Sequence, residues 1–217
     1  MSTGMSGQLA AAIADGLERQ RIDAAPGAAE GLAGFLRLLA EWNRAYNLTA
    51  VRDPAEMVSR HVLDSATALA FLHGERMLDA GSGAGLPGLV LALLAPQTQW
   101  ILAESTGKKA RFLEHAVREL GLASRVTVHA GRVEACRPES GFDTVTARAL
   151  ADLAQLVRWV GPSLASGGRL VALKGQRSAV EAERAALPAG WRSRVNPVTL
   201  PGLEAERCIV MVEREAG

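Results

Sequence analysis

The chain has 217 residues, with 24 Lys and Arg against 23 Asp and Glu and a formal net charge of +1. At 48% hydrophobic and 22% charged it carries enough apolar material for one globular domain, or one with a small extension, and no signature of disorder. Near-neutral charge excludes a polybasic binder that holds nucleic acid by bulk electrostatics, and the longest apolar run, Leu89 to Ala95, excludes a membrane span of roughly 20 residues. Cys136 and Cys208 are too few for a disulfide framework or a four-ligand metal site, and the scattered histidines have no companions at ligand spacing, so no metal is assigned. The opening stretch Met1 to Gln8 has no basic residue ahead of its apolar segment, so no secretory signal is expected. A reducing cytoplasm is the simplest home.

Residues 1–72 read as a helical extension packed on a core of 73–217. Leu9, Ile13 and Leu17 fall four apart, and Leu32, Phe35, Leu36 and Leu39 make a helical stripe. Pro26-Gly27 separates these two helices, and a third opens at the N-cap Asp53 with Pro54 and runs through Val58, Val62, Ala66 and Leu69. From Arg76 the pattern switches. Strands are expected at Met77–Ala80, Trp100–Ala103, Val126–Val128, Phe142–Thr146 and Arg169–Leu173. Helices are expected at Leu86–Ala95, Lys108–Leu120, Asp152–Leu164 (closed by Gly167-Gly168) and Ser178–Leu187. A hairpin-like end around Pro201-Gly202 leads to a last strand at Cys208–Val212. Repeated βα units of this length predict an α/β fold with a parallel sheet covered by helices on both faces.

The first strand runs into Gly81-Ser82-Gly83-Ala84-Gly85-Leu86-Pro87-Gly88 and then an apolar helix, the order in which a ligand meets a glycine turn and a helix N-terminus. Gly83 to Gly88 also satisfies the dinucleotide G-x-G-x-x-G pattern, which leaves a nicotinamide-dependent oxidoreductase open. Glu104, ending the second strand, suits the ribose hydroxyls of either NAD or S-adenosylmethionine. Asp79 separates the two: its carboxylate opposes a pyrophosphate and suits a cationic amino or sulfonium group, unless it merely caps the glycine loop.

Asp79-x-Gly81-x-Gly83-x-Gly85 with Glu104 resembles the cofactor loop of class I S-adenosylmethionine-dependent methyltransferases, which have a Rossmann-like sheet. Further stretches follow in order: Trp42-Asn43-x-x-Tyr46-Asn47-Leu48-Thr49-Ala50, Arg60-His61-x-x-Asp64-Ser65, Gly107-Lys108-Lys109-x-Arg111-Phe112-Leu113, Arg132-Val133-Glu134, Arg148-Ala149 and Leu173-Lys174-Gly175. Together they resemble the RsmG (GidB) family of 16S ribosomal RNA guanine-N7 methyltransferases, from about Glu41 to Gly175. The resemblance implies that Gly81 and Leu86 line the methionine end of the cofactor, that Val133 and Glu134 flank its adenine, and that Arg148 stands at the cofactor and substrate mouth. It implies small-subunit ribosomal RNA, or the small subunit itself, as partner. Ala80 stands where many relatives carry a larger β-branched residue, and Glu104 where Asp is commoner.

Guanine N7 has a lone pair and no proton, so no catalytic base is demanded; the task is alignment. Substrate-positioning candidates are Asn47, His61, Asp64, Arg148 and Lys174. Asn47 offers a donor and an acceptor, or caps a local turn. His61 and Asp64, three apart, share the flank of the third helix, as a structural pair or toward RNA. Arg148 and Lys174 end strands on the side where open α/β sheets bind ligands. Lys108, Lys109 and Arg111 crowd a helix first turn against its dipole, which points to RNA phosphates or to a solvated basic face. A ribosome-associated protein without activity is a further reading, and a monomer is expected.

Overall fold

The structure, a computed structural model, describes residues 3–200 and 203–215. Helices α1 (Thr3–Arg19) and α2 (Ala28–Tyr46) lead to a third helical region in which α3 (Pro54–Met57), a π-helical turn (Val58–Leu63) and α4 (Asp64–Ala66) follow one another. The alternating part is β1 (Arg76–Ala80), α5 (Gly88–Leu94), β2 (Gln99–Ala103), α6 (Gly107–Glu119), β3 (Val126–His129), β4 (Phe142–Arg148), α7 (Leu153–Val160) and β5 (Leu164–Lys174). It closes with α8 (Arg177–Ala185), β6 (Trp191–Leu200) and β7 (Leu203–Arg214). Among the described residues no helix is long and apolar enough to cross a membrane.

The seven strands form one sheet in the order β3-β2-β1-β4-β5-β7-β6. Strands β1 to β5 pair in parallel, whereas β7 runs antiparallel to both β5 and β6, so the sheet is mixed rather than wholly parallel. Strand β6 is the element that the amphipathic pattern did not reveal. It is the sheet edge, whose half-buried positions include Ser193 and Asn196, so its sequence shows no clean apolar alternation and it tolerates Pro197. The turn at Pro201-Gly202 lies outside the described residues.

One face of the sheet shares its core with the N-terminal helices: Ile13, Leu32, Phe35 and Leu36 pack in one buried cluster with Leu89, Leu102 and Phe112. The other face is closed mainly by α7, whose Leu153, Leu156 and Val160 meet Leu78, Val145 and Leu170. Each buried leucine of this kind contributes about 1.5–3 kcal/mol by leaving water.

Several boundaries differ from the sequence reading, three of them in helices. Asp53 does cap its helix, Oδ1 accepting from Ala55 N at 2.9 Å, but the helix widens into the π turn instead of running unbroken to Leu69. Helix α5 begins at Gly88, because Leu86 and Pro87 belong to the turn. Helix α7 stops at Val160, where Pro162 supports a 3₁₀ turn (Gly161–Ser163), and Gly167-Gly168 then lie inside β5 rather than closing a helix.

A candidate cofactor and substrate site at the carboxyl edge of the sheet

The parallel strands β1, β2 and β4 end at Ala80, Ala103 and Arg148, and the loops that follow them enclose a cavity of about 430 Å³. Its floor is the glycine turn. Gly83 stands at φ 58°, a left-handed conformation natural to glycine, and a Cβ there would meet only Gly81 O, at an ordinary 3.8 Å. Its amide donates to Glu104 Oε2 at 2.8 Å, while Glu104 Oε1 accepts from Thr106 N at 2.7 Å. One buried carboxylate thus joins the glycine turn to the start of α6. A carboxylate has about four acceptor positions and two are taken, so Glu104 keeps capacity toward the cavity that it lines.

Asp79 does not line this cavity. It is fully buried beneath the turn, where Oδ2 accepts from Gly88 N at 3.0 Å and Oδ1 from Thr146 Oγ1 at 2.8 Å. Burial pushes its carboxyl up to about 6 against three hydrogen bonds and the charge of Arg148, which lower it. The carboxylate therefore caps α5 instead of facing a cationic ligand. A Cβ on Gly88 would lie 2.6 Å from Asp79 Oδ2 and from Leu102 Cδ2, which is why only glycine fits there. Gly85 also turns away from the cavity, toward Leu89 and Leu113.

These contacts weigh against one of the two cofactor classes. The amides of Ser82, Gly83, Gly85, Leu86 and Gly88 donate to Ala103 O, Glu104 Oε2, Ser82 O, Ser82 O and Asp79 Oδ2, and Pro87 has none. A pyrophosphate needs such amides free, with no carboxylate at the helix N-terminus. Asp79 thus opposes a dinucleotide, although by occupying the helix end rather than by facing the ligand.

Along the remaining walls, Gly131, Arg132, Val133 and Glu134 follow β3, and Arg148, Ala149 and Leu150 follow β4, with Trp159 of α7 beside them. Of the residues expected to hold cofactor, Gly81, Gly83, Leu86, Glu104, Val133, Glu134 and Arg148 are brought together here. Trp159 was missed because its place among helical apolar residues reads as core.

The N-terminal region supplies the last wall, Leu48 and Thr49. Asn43 shapes this loop: buried, it accepts from Thr49 N at 2.9 Å and donates to Val51 O at 3.1 Å. Asn47, the candidate from sequence, is instead the exposed left-handed C-cap of α2 and accepts from Arg52 at 3.1 Å.

His61 and Asp64 are both buried and bond to different partners rather than to each other. Nε2 of His61 lies 2.9 Å from Thr49 Oγ1, and burial, the largest influence, holds the ring's pKa below its usual value. Asp64 accepts from Arg148 Nη1 at 3.0 Å and from Arg207 Nε at 2.9 Å, so Arg207 braces the carboxylate behind the cavity-lining Arg148, although no motif flagged it. Lys174 ends β5 on the expected side, but its Nζ is held by Glu183 at 2.7 Å and Ala151 O at 2.8 Å. Lys109 lines the cavity, Lys108 donates to Tyr46 O at 3.0 Å, and Arg111 is exposed.

The residues present fit S-adenosylmethionine: an acidic acceptor at the second strand, an apolar slot at Val133, and a glycine floor that a Cβ-free backbone leaves open. Solved structures share this architecture. An O-methyltransferase from Klebsiella pneumoniae matches with a TM-score of 0.61 at 16% identity, over 98% of this chain and 100% of that one. TomG, an O-methyltransferase from Streptomyces achromogenes solved in complex with SAM, matches with a TM-score of 0.60 at 14% identity, over 94% and 96%. The fold is that of the class I S-adenosylmethionine-dependent methyltransferases.

Sequence comparison narrows the class. The family model GidB, described as rRNA small subunit methyltransferase G, matches residues 28–208, and the chain belongs to that family. Proteins named Ribosomal RNA small subunit methyltransferase G are 46% identical in Xanthomonas campestris, over 95% of this chain and 96% of that one, and 43% identical in Marinobacter nauticus, over 93% and 94%.

Proposed function

We propose that the protein uses S-adenosylmethionine to methylate N7 of a guanine in 16S ribosomal RNA of the small ribosomal subunit, acting in the cytoplasm as a monomer and without a general base. Family membership supports the RNA substrate class, and the Glu104 bridge between Gly83 and Thr106 at the cavity is the observation that carries the cofactor assignment. Bound there, the cofactor supplies a methyl group on a sulfonium, an electrophile that N7 can attack with its own lone pair.

The chain's part is placement. Glu104 receives ribose hydroxyls, Val133 and Glu134 flank the adenine, and Gly81 and Leu86 line the methionine end. In sheet order β3 and β2 lie to one side of β1 and β4 to the other, so the reacting end faces Arg148, Leu48 and Thr49. Water is excluded there by Leu48, Leu150 and Trp159. N7 lies on the major-groove edge, which is closed in a paired A-form helix, so the target guanine must be splayed out to reach this mouth.

The test is methyl transfer from labelled S-adenosylmethionine to small subunits that lack native methylation, read by nucleoside mass spectrometry. The expected product is 7-methylguanosine, lost in Glu104→Ala. Cofactor binding with no RNA product on subunits or naked RNA would keep the class and discard the substrate.

A further inference from the structure

Thr49 stands on the cavity wall, and two groups of the chain already meet its hydroxyl. Val51 N donates to Oγ1 at 3.2 Å, and His61 Nε2 lies 2.9 Å away. The His61 ring, buried and with its pKa lowered, is neutral near pH 7 and carries a single proton. Burial is the largest influence; the Arg60 carbonyl and Asp64 act for its charged form, the Arg148 and Arg60 guanidinium groups against it, and the balance lowers the pKa.

Where that proton sits follows from the other nitrogen. Nδ1 is buried with no hydrogen-bond partner. The Arg60 carbonyl bears on the ring but is outside hydrogen-bond geometry, and it accepts from Arg148 Nη1 at 3.3 Å. A buried N–H without an acceptor is rarer and costlier than an unfilled acceptor. The proton therefore sits on Nε2 and is donated to Thr49. Nε2–H and Val51 N–H then fill both lone pairs of Oγ1, and the hydroxyl's own proton is left to point into the cavity.

We infer that Thr49 is a hydrogen-bond donor to O6 of the target guanine, with His61 as the residue that positions it; this rests on the methyl-transfer reading above. Guanine offers two acceptors on its major-groove edge, N7 and O6. A donor on N7 would occupy the lone pair that takes the methyl, so O6 is the atom a donor can hold. Neutrality matters too, since the purine gains positive charge as N7 is methylated and a bare cation would oppose it. Arg148, the guanidinium on this side, is offset by Asp64. Adenine in the same pose presents an amino donor to the Thr49 donor, so the same hydroxyl selects against adenine.

The experiment is single-turnover transfer to undermethylated subunits by wild type, Thr49→Val, Thr49→Ser, His61→Gln and His61→Leu, alongside calorimetry with S-adenosylhomocysteine. Thr49→Val should slow transfer by about three- to tenfold, the worth of one neutral hydrogen bond, with unchanged S-adenosylhomocysteine affinity. Thr49→Ser keeps the hydroxyl and should stay near wild type, and His61→Gln, which keeps a donor, should outperform His61→Leu. In subunits reconstituted with 2-aminopurine, which lacks O6, at the methylated position, wild type should slow by the same factor and Thr49→Val no further. Full-rate transfer by Thr49→Val, a matching loss of S-adenosylhomocysteine affinity, or unchanged discrimination against 2-aminopurine in that variant would each overturn the assignment. Wild type inert on subunits would remove the underlying reaction, a failure visible before any variant is compared.

Discussion

Arg207 on β7 donates from Nε to Oδ1 of Asp64 on α4 at 2.9 Å, across 143 positions of sequence. The second oxygen takes Arg148 at the end of β4, so one buried carboxylate ties two strands to the N-terminal helices and aims the guanidinium that lines the cavity. Asp64→Ala leaves two cations facing each other without their counter-ion. The expected loss is about 2–4 kcal/mol, below the most buried cases because both guanidinium groups are partly open to water. Arg207→Ala should cost less, since Arg148 still satisfies the carboxylate. Urea unfolding of both variants checks the order; equal losses would mean that the bridge does not act as one unit.

What was legible beforehand and what was not divides along range. Gly81, Gly83 and Glu104 follow the ends of adjacent strands, and local order alone places them on one cavity. Arg207 does not, because its role is set by Asp64, and no spacing rule connects a last strand to an early helix. Asn43 and Asn47 look equivalent in sequence, yet the left-handed C-cap takes Asn47 and leaves Asn43 to organise the loop. The π turn at Val58–Leu63 changes which way His61 and Asp64 face, which an ideal helical period cannot anticipate.

Glu104→Gln tests the bridge under the cofactor slot. Both oxygens accept backbone amides, whereas a glutamine has one oxygen and must turn an NH₂ toward a donor. Losing one charge-assisted bond and its alignment of the turn should weaken S-adenosylhomocysteine binding by about 10- to 100-fold. Calorimetry measures this directly. Undiminished affinity would place the ribose elsewhere in the cavity.

Lys174→Met addresses a lysine whose position suggests the site but whose contacts are structural. Its Nζ joins β5 to Glu183 of α8 and to Ala151 O, and Glu183 also accepts from Leu153 N at 2.9 Å. Removing the ammonium leaves Glu183 half-satisfied and should cost about 1–3 kcal/mol in denaturant unfolding. S-adenosylhomocysteine affinity and methyl transfer at a temperature where the variant is folded should match wild type. A selective loss of transfer would return Lys174 to the substrate side.

Asp79→Asn probes the capped helix through pH. Burial raises the carboxyl to about 6 in the folded chain, while the unfolded chain titrates near the ordinary 3.8. Between about pH 4 and pH 6 the unfolded chain has already released a proton that the folded chain still holds, so this group's contribution is full below the window and lost above it. A rise of that size corresponds to about 3 kcal/mol, at about 1.4 kcal/mol per pH unit. Asparagine stays neutral throughout, its oxygen accepting from Gly88 N and its amide donating to Thr146 Oγ1. The unfolding free energy of Asp79→Asn should therefore gain on wild type by about 2 kcal/mol between pH 4 and pH 7, the rest of the effect lying below pH 4. Urea titrations of both proteins at the two pH values read the difference free of other titrating groups. A gap that stays constant with pH would mean that Asp79 is ionised in the fold at no cost, its charge fully met by Gly88, Thr146 and Arg148.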